Sequence, residues 1–243
     1  MSPEISIVVP LFNEEDNIPI LQDEIAAAMA GRDFELILVD DCSTDATRSR
    51  IRRGDRVQAI ELRQNAGQSA ALYAGMRAAR GAFVGLLDGD LQNDPADLVR
   101  MIDELKRSDV DLICGFRANR QDPWTKRAMG RVANAVRSRF IGDGVRDAGC
   151  TLKVMRRECV AALIPFKGMH RFIPALVKGA GFKIVEMPVN HRPRRFGVSK
   201  YGLGNRVFRA TADMFGVRWF LGRRFGDAET RNEPGRGSGL NLP

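Results

Sequence analysis

The chain has 243 residues, 44% of them hydrophobic and 28% charged, which are the proportions of a folded globular protein rather than a disordered one. It contains no apolar run of the roughly 18 residues that a membrane span needs, and its first residues do not form the apolar segment of a signal peptide. Four cysteines without Cys-x-x-Cys spacing and two histidines disfavour a structural zinc site or a disulfide scaffold, so we expect a reduced, cytoplasmic protein.

The formal net charge of +8 indicates an anionic partner, and the charge is unevenly distributed along the chain. Residues 1–114 have 12 Lys and Arg against 21 Asp and Glu, a net charge of −9. Residues 115–226 have 24 against 6, a net charge of +18, and residues 227–243 have a net charge of −1. An acidic half is therefore joined to a strongly basic half, which disfavours a uniformly basic protein that coats nucleic acid.

The first half alternates strands and helices, the pattern of βαβ crossovers and of a mostly parallel α/β sheet with helices on both faces. Short β-branched runs predict buried strands over residues 5–10, 34–40, 57–62, 82–88 and 111–116. Helices are predicted between them, starting after Asn13, at Ser43 or Thr44 as the N-cap, near Ser69 and at Pro95.

The second half is less regular. Helices are predicted over residues 124–141 and 169–179, and strands over residues 151–157 and 182–192. The last of these strands contains Pro188, which cannot donate a ladder hydrogen bond, so we expect it at a sheet edge. A final helix is predicted from about Leu203 to Phe225, and the polar, Gly- and Pro-containing residues 227–243 are expected to be a disordered tail.

Acidic residues follow two of the predicted strands. Asp40 and Asp41 come after the second strand, and Asp88 and Asp90 come after the fourth. Ligands bind at the carboxyl ends of strands in open parallel sheets, and carboxylates crowded there repel one another unless a cation or hydrogen-bond donors lie between them. Two aspartates separated by one small residue, with the amide oxygen of Gln92 nearby, suit a hard divalent ion that also binds phosphate oxygens.

Four segments in register resemble the sequence blocks of inverting, family-two nucleotide-sugar glycosyltransferases of the GT-A type: VVPLFNEEDNI, LILVDDCSTDAT, RQNAGQSAALYAGMRAARG and VGLLDGDLQNDP. The downstream segments DAGCTLKVMRRE and RRFGVSKYG are most similar to the polyprenyl-phosphate group, typified by dolichol-phosphate mannose synthase. The resemblance implies one catalytic domain over residues 1–226. Within it, residues 1–114 would bind nucleotide and metal, residues 115–202 would bind the acceptor, and residues 203–226 would form an amphipathic interfacial helix.

The resemblance also implies roles for single residues. Base and ribose would lie against Pro10, Phe12, Glu14, Val39 and Asp41, with Asp41 accepting a hydrogen bond from the base. Gln68, Asp88 and Gly89 would also contact the nucleotide. Mg²⁺ or Mn²⁺ would be held on the diphosphate by Asp88, Asp90 and Gln92. UDP and GDP both remain open as the nucleotide.

Two arginine-rich segments of the basic half are expected to bind phosphate, because Arg binds phosphate oxygens bidentately and Gly lets the backbone approach an anion. The residues assigned to a lipid phosphate are Arg117, Arg127, Arg192, Arg194, Arg195, Ser199 and Lys200. A polyprenyl phosphate is mostly dianionic at neutral pH, since its second pKa is about 6, and it attacks without a general base. We therefore assign catalytic roles to Asp90, Arg117 and Arg194, and expect Asp147 to orient arginines.

The final helix interleaves Phe215 and Trp219 with arginines, which is typical of a helix lying in a membrane interface, although a core-packing helix is the alternative. The leading hypothesis is an inverting transferase that moves a hexose from a UDP- or GDP-linked sugar to a polyprenyl phosphate at the cytoplasmic, anionic membrane face. A homo-oligomer is compatible with it, and nucleic acid is not an expected partner. The alternatives are a GT-A transferase with a hydroxyl acceptor and a carboxylate base, for which Asp147 is the candidate, and a basic binding module.

Overall fold

The computed structural model describes residues 2–118, 134–196 and 204–224. The strands in these residues are β1 Ile5–Leu11, β2 Phe34–Asp40, β3 Val57–Glu61, β4 Phe83–Leu86, β5 Leu112–Arg117, β6 Lys153–Arg156 and β7 Ile184–Val189. The helices are α1 Ile18–Ala28, α2 Thr47–Arg50, α3 Gln68–Ala78, α4 Pro95–Arg107, α5 at residues 134–141, α6 Ile173–Gly179 and α7 Gly204–Leu221. Two 3₁₀ segments cover Arg157–Ala162 and Met169–Arg171.

The strands form one mixed sheet in the order β3-β2-β1-β4-β6-β5-β7. The pairs β1–β2, β2–β3, β1–β4 and β5–β7 are parallel, which confirms the predicted mostly parallel sheet. Strand β6 is inserted antiparallel between β4 and β5, an arrangement that the sequence pattern did not predict. β7 lies at the sheet edge, as the proline at position 188 predicted.

Helices cover both faces of the sheet because successive strand residues point to opposite sides. Val8 lies in a core cluster with residues of α3 and α6, such as Leu72 and Leu176. Its neighbour Val9 lies in a second cluster with residues of α1 and α4, such as Leu21. The layered α/β architecture is therefore as predicted.

Two predicted helix starts are wrong. Helix α1 begins at Ile18, with Asn17 at its N-cap, rather than directly after Asn13. Helix α2 begins at Thr47 with Ala46 at its N-cap, rather than at Ser43 or Thr44. The Ser43 hydroxyl instead accepts from the Asn13 backbone N–H at 2.9 Å and donates to Asp40, so contacts across the sheet edge use the oxygen that a cap would need. Pro95 does open α4, as predicted.

Helix α7 packs on the core with one side and exposes the other. Val217 is buried, and Asp213 forms an ion pair with Arg171 at 3.2 Å. Phe215 and Trp219 are 60% and 63% exposed. The buried side therefore fits a core-packing helix, and the exposed side fits a helix that lies in a membrane interface. Among the described residues, no helix is both long enough and apolar enough to cross a bilayer.

Candidate active site

A cavity of about 450 Å³ lies at the carboxyl ends of β1, β2 and β4. The described residues that line it are Pro10, Leu11, Phe12, Glu14, Asp41, Asn65, Gly67, Gln68, Asp88, Gly89, Asp90, Gly149, Thr151, His170, Arg171 and Arg194. The structure thus brings every predicted nucleotide-binding residue except Val39 into one cavity. Val39 is completely buried in the core and does not line the cavity.

Asp41 fixes the wall of the cavity next to β2. Its two carboxylate oxygens accept from the backbone N–H groups of Ala66, at 2.7 Å, and Gly67, at 2.8 Å. Gly67 has φ 89°, a conformation that favours glycine, and α3 starts directly after it. The predicted hydrogen bond from a base would use the carboxylate's remaining lone pairs, since an ionised carboxylate has about four acceptor sites.

The segment after β1 is tied to the segment after β2. Asn13 has φ 51°, which asparagine tolerates better than most residues, and its side-chain oxygen accepts from the Thr44 N–H at 2.8 Å. The Glu14 carboxylate accepts from the Asn17 amide at 2.6 Å. These contacts hold the β1 side of the cavity, where Phe12 and Glu14 would meet a nucleoside.

Asp88 and Asp90 form the acidic centre of the cavity. Burial, and next the charge of Asp90, raise the pKa of Asp88 to about 7. The Gln68 amide donates to Asp88 Oδ1 at 2.8 Å, and the Arg194 guanidinium lies 2.6 Å from Asp90 Oδ2. Negative charge on the two carboxylates is thus unfavourable, and hydrogen-bond donors or cations placed beside them stabilise it.

The two aspartates fit the predicted divalent ion, because a cation between them would remove the repulsion that raises the Asp88 pKa. Gln92 is placed differently: it does not line the cavity, and its amide nitrogen lies 3.4 Å from both His191 Nε2 and the Arg192 carbonyl. The described part of the chain contains no group of three or more His, Cys, Asp or Glu that could hold a metal. Oxygen atoms of a bound substrate would therefore have to complete the coordination of the ion.

The predicted phosphate-binding arginines are in different environments. Arg117 makes a bidentate ion pair with Asp147, at 2.7 and 2.8 Å, which confirms the expectation that Asp147 orients an arginine. Burial opposes protonation of Arg117, but this contact raises its pKa overall. Arg192 pairs with carboxylates of α1 and of the α4 N-cap.

Arg194 is the member of the predicted lipid-phosphate set that lines the cavity in the described structure. Arg195 is exposed. The remaining members, Arg127, Ser199 and Lys200, lie outside the described residues.

The loop before β6 and the Met169–Arg171 turn form a wall of the cavity that the sequence did not predict. Gly149 and Thr151, in the loop before β6, line the cavity, as do His170 and Arg171. Lys153 at the start of β6 is 2% exposed and donates to the Cys150 carbonyl. This hydrogen bond stabilises the loop before β6 from its buried side. The DAGCTLK segment indicated the loop before β6. No pattern in the local sequence, however, predicts that the Met169–Arg171 turn lies beside α3.

Residues 6–163 match the family model described as "Glycosyl transferase family 2". The chain is 43% identical over 230 residues to a dodecaprenyl-phosphate galacturonate synthase of Rhizobium johnstonii, covering 90% of this chain and 68% of that protein. It is 36% identical over 207 residues to an undecaprenyl-phosphate 4-deoxy-4-formamido-L-arabinose transferase of Sodalis glossinidius, covering 82% and 63%. The chain thus spans about two thirds of the length of these relatives.

The fold is also found in solved structures. A crystal structure of glucosyl-3-phosphoglycerate synthase from Mycobacterium tuberculosis, in complex with Mg²⁺ and UDP, superposes with a TM-score of 0.67 at 20% identity. The match covers 89% of this chain and 79% of that one. This likeness confirms the predicted GT-A fold class.

The raised pKa of Asp88 predicts a pH-dependent stability in metal-free protein. Between about pH 4 and pH 7 the folded chain keeps a proton on Asp88 that the unfolded chain has lost, so this residue makes the free energy of unfolding fall as pH rises. We expect Asp88→Asn to be more stable than wild type at pH 8 in chelator, with a smaller difference at pH 4.5. Urea unfolding at both pH values measures this; an equal difference at the two would contradict the pKa assignment.

Proposed function

The chain belongs to glycosyl transferase family 2, and from that premise we propose that it moves a hexose from a UDP- or GDP-linked sugar to a polyprenyl phosphate at the cytoplasmic membrane face, with inversion at the anomeric carbon. The observation that carries the proposal is one cavity in which Asp88 and Asp90 meet the cationic Arg194. The names of both relatives support a polyprenyl-phosphate acceptor. Those names give two different sugars, a uronic acid and a neutral pentose derivative, and so do not choose one.

The order of strands supports an orientation for the donor. The cavity wall runs from β2 through β1 and β4 to the loop before β6, that is from Asp41 and Phe12 to Asp88 and then Thr151. A nucleoside between Phe12 and Asp41 would place the diphosphate at Asp88 and Asp90. The sugar would then extend towards Gly149 and Thr151.

Asp88 and Asp90 would hold Mg²⁺ or Mn²⁺. When bound, the ion neutralises charge on the leaving diphosphate. Gln68 fixes the Asp88 carboxylate through its 2.8 Å hydrogen bond, so that this ligand is oriented before donor binding. Arg194 contributes a positive charge on the same side of the cavity, where it can contact phosphate oxygens as well as Asp90.

The acceptor phosphate needs orientation rather than deprotonation. Its oxygen forms the new bond to the anomeric carbon as the bond from that carbon to the diphosphate breaks, and no proton has to be removed from a dianion. Arg117 lies behind Gly149, held there by Asp147, and Arg194 lines the cavity beside Asp90. We assign these two arginines to the acceptor phosphate, with Asp147 as the residue that positions Arg117.

The exposed side of α7 supports contact with a membrane. Phe215 and Trp219 project from it, Val136 of α5 is also 60% exposed, and the rings of Phe140 and Phe215 meet edge to face at 5.0 Å. Aromatic residues with nearby arginines, such as Arg223 over the Trp219 ring, are typical of interfacial helices. We infer that this surface of α5 and α7 lies on an anionic bilayer and brings the cavity to a membrane-bound acceptor.

The proposal is tested by donor binding and transfer. UDP or GDP, together with Mn²⁺, should raise the Tm, and the matching sugar nucleotide should glycosylate undecaprenyl phosphate. Asp90→Asn should lose the metal-dependent part of the Tm increase and at least about 100-fold in kcat/KM, because one of two metal ligands is gone. Asp109→Asn, an exposed carboxylate change, is the control that should keep full activity. Full activity in Asp90→Asn would overturn the metal assignment.

Asp147→Asn distinguishes the two kinds of acceptor. With a phosphate acceptor we expect a higher KM for the lipid and residual turnover, because Arg117 loses its ion pair but no base is lost. With a hydroxyl acceptor and Asp147 as the base, kcat would fall by about 100-fold or more. Steady-state kinetics with varied acceptor concentration measure both parameters, and a loss confined to kcat would favour the hydroxyl acceptor.

Removal of the two exposed aromatic side chains should weaken membrane binding. The double variant Phe215→Ser, Trp219→Ser should bind phosphatidylglycerol vesicles at least about tenfold more weakly than wild type, since each ring contributes more than 1 kcal/mol when buried. Val185→Ser, which changes an exposed apolar residue on the edge strand β7, is the matched control. Vesicle co-sedimentation at low and high salt measures the affinities, and equal binding by wild type and double variant would contradict the assignment.

A further inference from the structure

Strand β6 brings its first residues, rather than its last, to the edge of the sheet where the cavity lies. The reason is that β6 is antiparallel to β4, with Lys153 paired to Leu86. Continued by two residues, the same register sets Thr151 opposite Asp88. The Gln68 amide nitrogen joins the two, since it lies 2.8 Å from Asp88 Oδ1 and 3.3 Å from Thr151 Oγ1. The start of β6 is therefore a direct neighbour of the acidic centre.

Lys153 lies on the same side of this segment as Thr151, because residues two apart in an extended chain point to one face. Its side chain is 2% exposed, and its ammonium donates to the carbonyl of Cys150. The ammonium thus lies against the loop that carries Gly149 and Thr151 of the cavity wall. Diagonal neighbours in an antiparallel pair are roughly 7–8 Å apart, a distance that a long side chain spans, so this register places Lys153 near Asp88.

The charge of Lys153 acts on the acidic centre. Burial and the charge of Asp90 raise the pKa of Asp88 to about 7, and the charge of Lys153 is among the influences that oppose this rise in pKa. In the described part of the chain Lys153 forms no ion pair with a carboxylate, whereas Arg117 and Arg194 each form one. A buried ammonium without such a partner is unfavourable, so an anion that enters the cavity would be stabilised by its charge.

We propose that Lys153 is a positioning residue of the donor site: its buried positive charge, acting through the loop before β6, stabilises the leaving nucleoside diphosphate. The inference rests on the proposed function, because it assumes that a nucleoside diphosphate binds at Asp88 and Asp90. The ammonium is held by the Cys150 carbonyl before the donor binds, so it needs no reorganisation when negative charge develops on the diphosphate. A fixed charge here favours two phosphate groups over one, because the second group adds negative charge near the acidic centre.

Nucleotide binding tests this charge without any need for transfer. Lys153→Gln is neutral but keeps an N–H donor for the Cys150 carbonyl, and Lys153→Met loses both the charge and the donor. We expect each variant to lower the preference for UDP over UMP, the ratio of their Kd values, at least about tenfold. Calorimetry in chelator and with Mn²⁺ measures the ratio, with GDP and GMP when guanine is the preferred base. Where Lys153→Met does not fold, Lys153→Gln decides.

Two results of the binding experiment would overturn the proposal. An equal loss of affinity for UDP and UMP would mean that Lys153 only supports the loop. A wild-type ratio in Lys153→Gln would mean that the hydrogen bond matters and the charge does not. Lys183→Met, which removes an exposed ammonium paired with Asp109, is the matched control and should keep the wild-type ratio.

Transfer kinetics separate this inference from the proposed function. We expect Lys153→Gln to lower kcat at least about tenfold, because the charge acts as the diphosphate leaves, and to leave the KM for undecaprenyl phosphate near its wild-type value. A higher KM for the lipid with an unchanged UDP-to-UMP ratio would show that the charge acts on the acceptor phosphate, and the inference would be wrong. If the wild type transfers no sugar to a polyprenyl phosphate, the proposed function fails, while the Kd ratios still decide the role of Lys153.

Discussion

The close approach of Asp88 and Asp90 after β4 is the constraint on which the site depends. Burial and mutual repulsion raise the pKa of Asp88 to about 7, and the surrounding groups compensate for that cost. Gln68 at the start of α3 and Arg194 from the segment after β7 both reach these carboxylates. Elements far apart in the sequence thus meet at one pair of charges, which is also the pair that suits a divalent ion and a diphosphate.

Three arginines of the strongly basic second half are held in place by individual carboxylates. Arg117 has its own carboxylate in Asp147, and Arg192 pairs with Glu24 and Asp94, so these arginines are held in fixed places. Arg194 also pairs with a carboxylate, that of Asp90, and lines the cavity. These three arginines therefore act through individual contacts, and a phosphate acceptor would meet oriented guanidinium groups.

Helix α7 connects an exposed aromatic surface with the cavity. Its inner side carries Val217, buried in the core, and Asp213, which holds Arg171 at the cavity wall. Its outer side carries Phe215 and Trp219. One helix thus links the exposed aromatic side chains to a residue that lines the cavity.

The sequence by itself determined the strands, the layered fold class and the acids at the strand ends, because β-branched runs and strand-terminal residues are local features. It did not determine the antiparallel β6, the Asp41 contacts with a loop 25 and 26 residues away, or the Ser69–His170 pair, whose members are 101 residues apart. The predicted N-cap at Ser43 was wrong for the same reason, because the Ser43 hydroxyl oxygen accepts a hydrogen bond from the distant Asn13 N–H. Only tertiary packing decides such contacts, because it alone brings residues distant in sequence within hydrogen-bond reach.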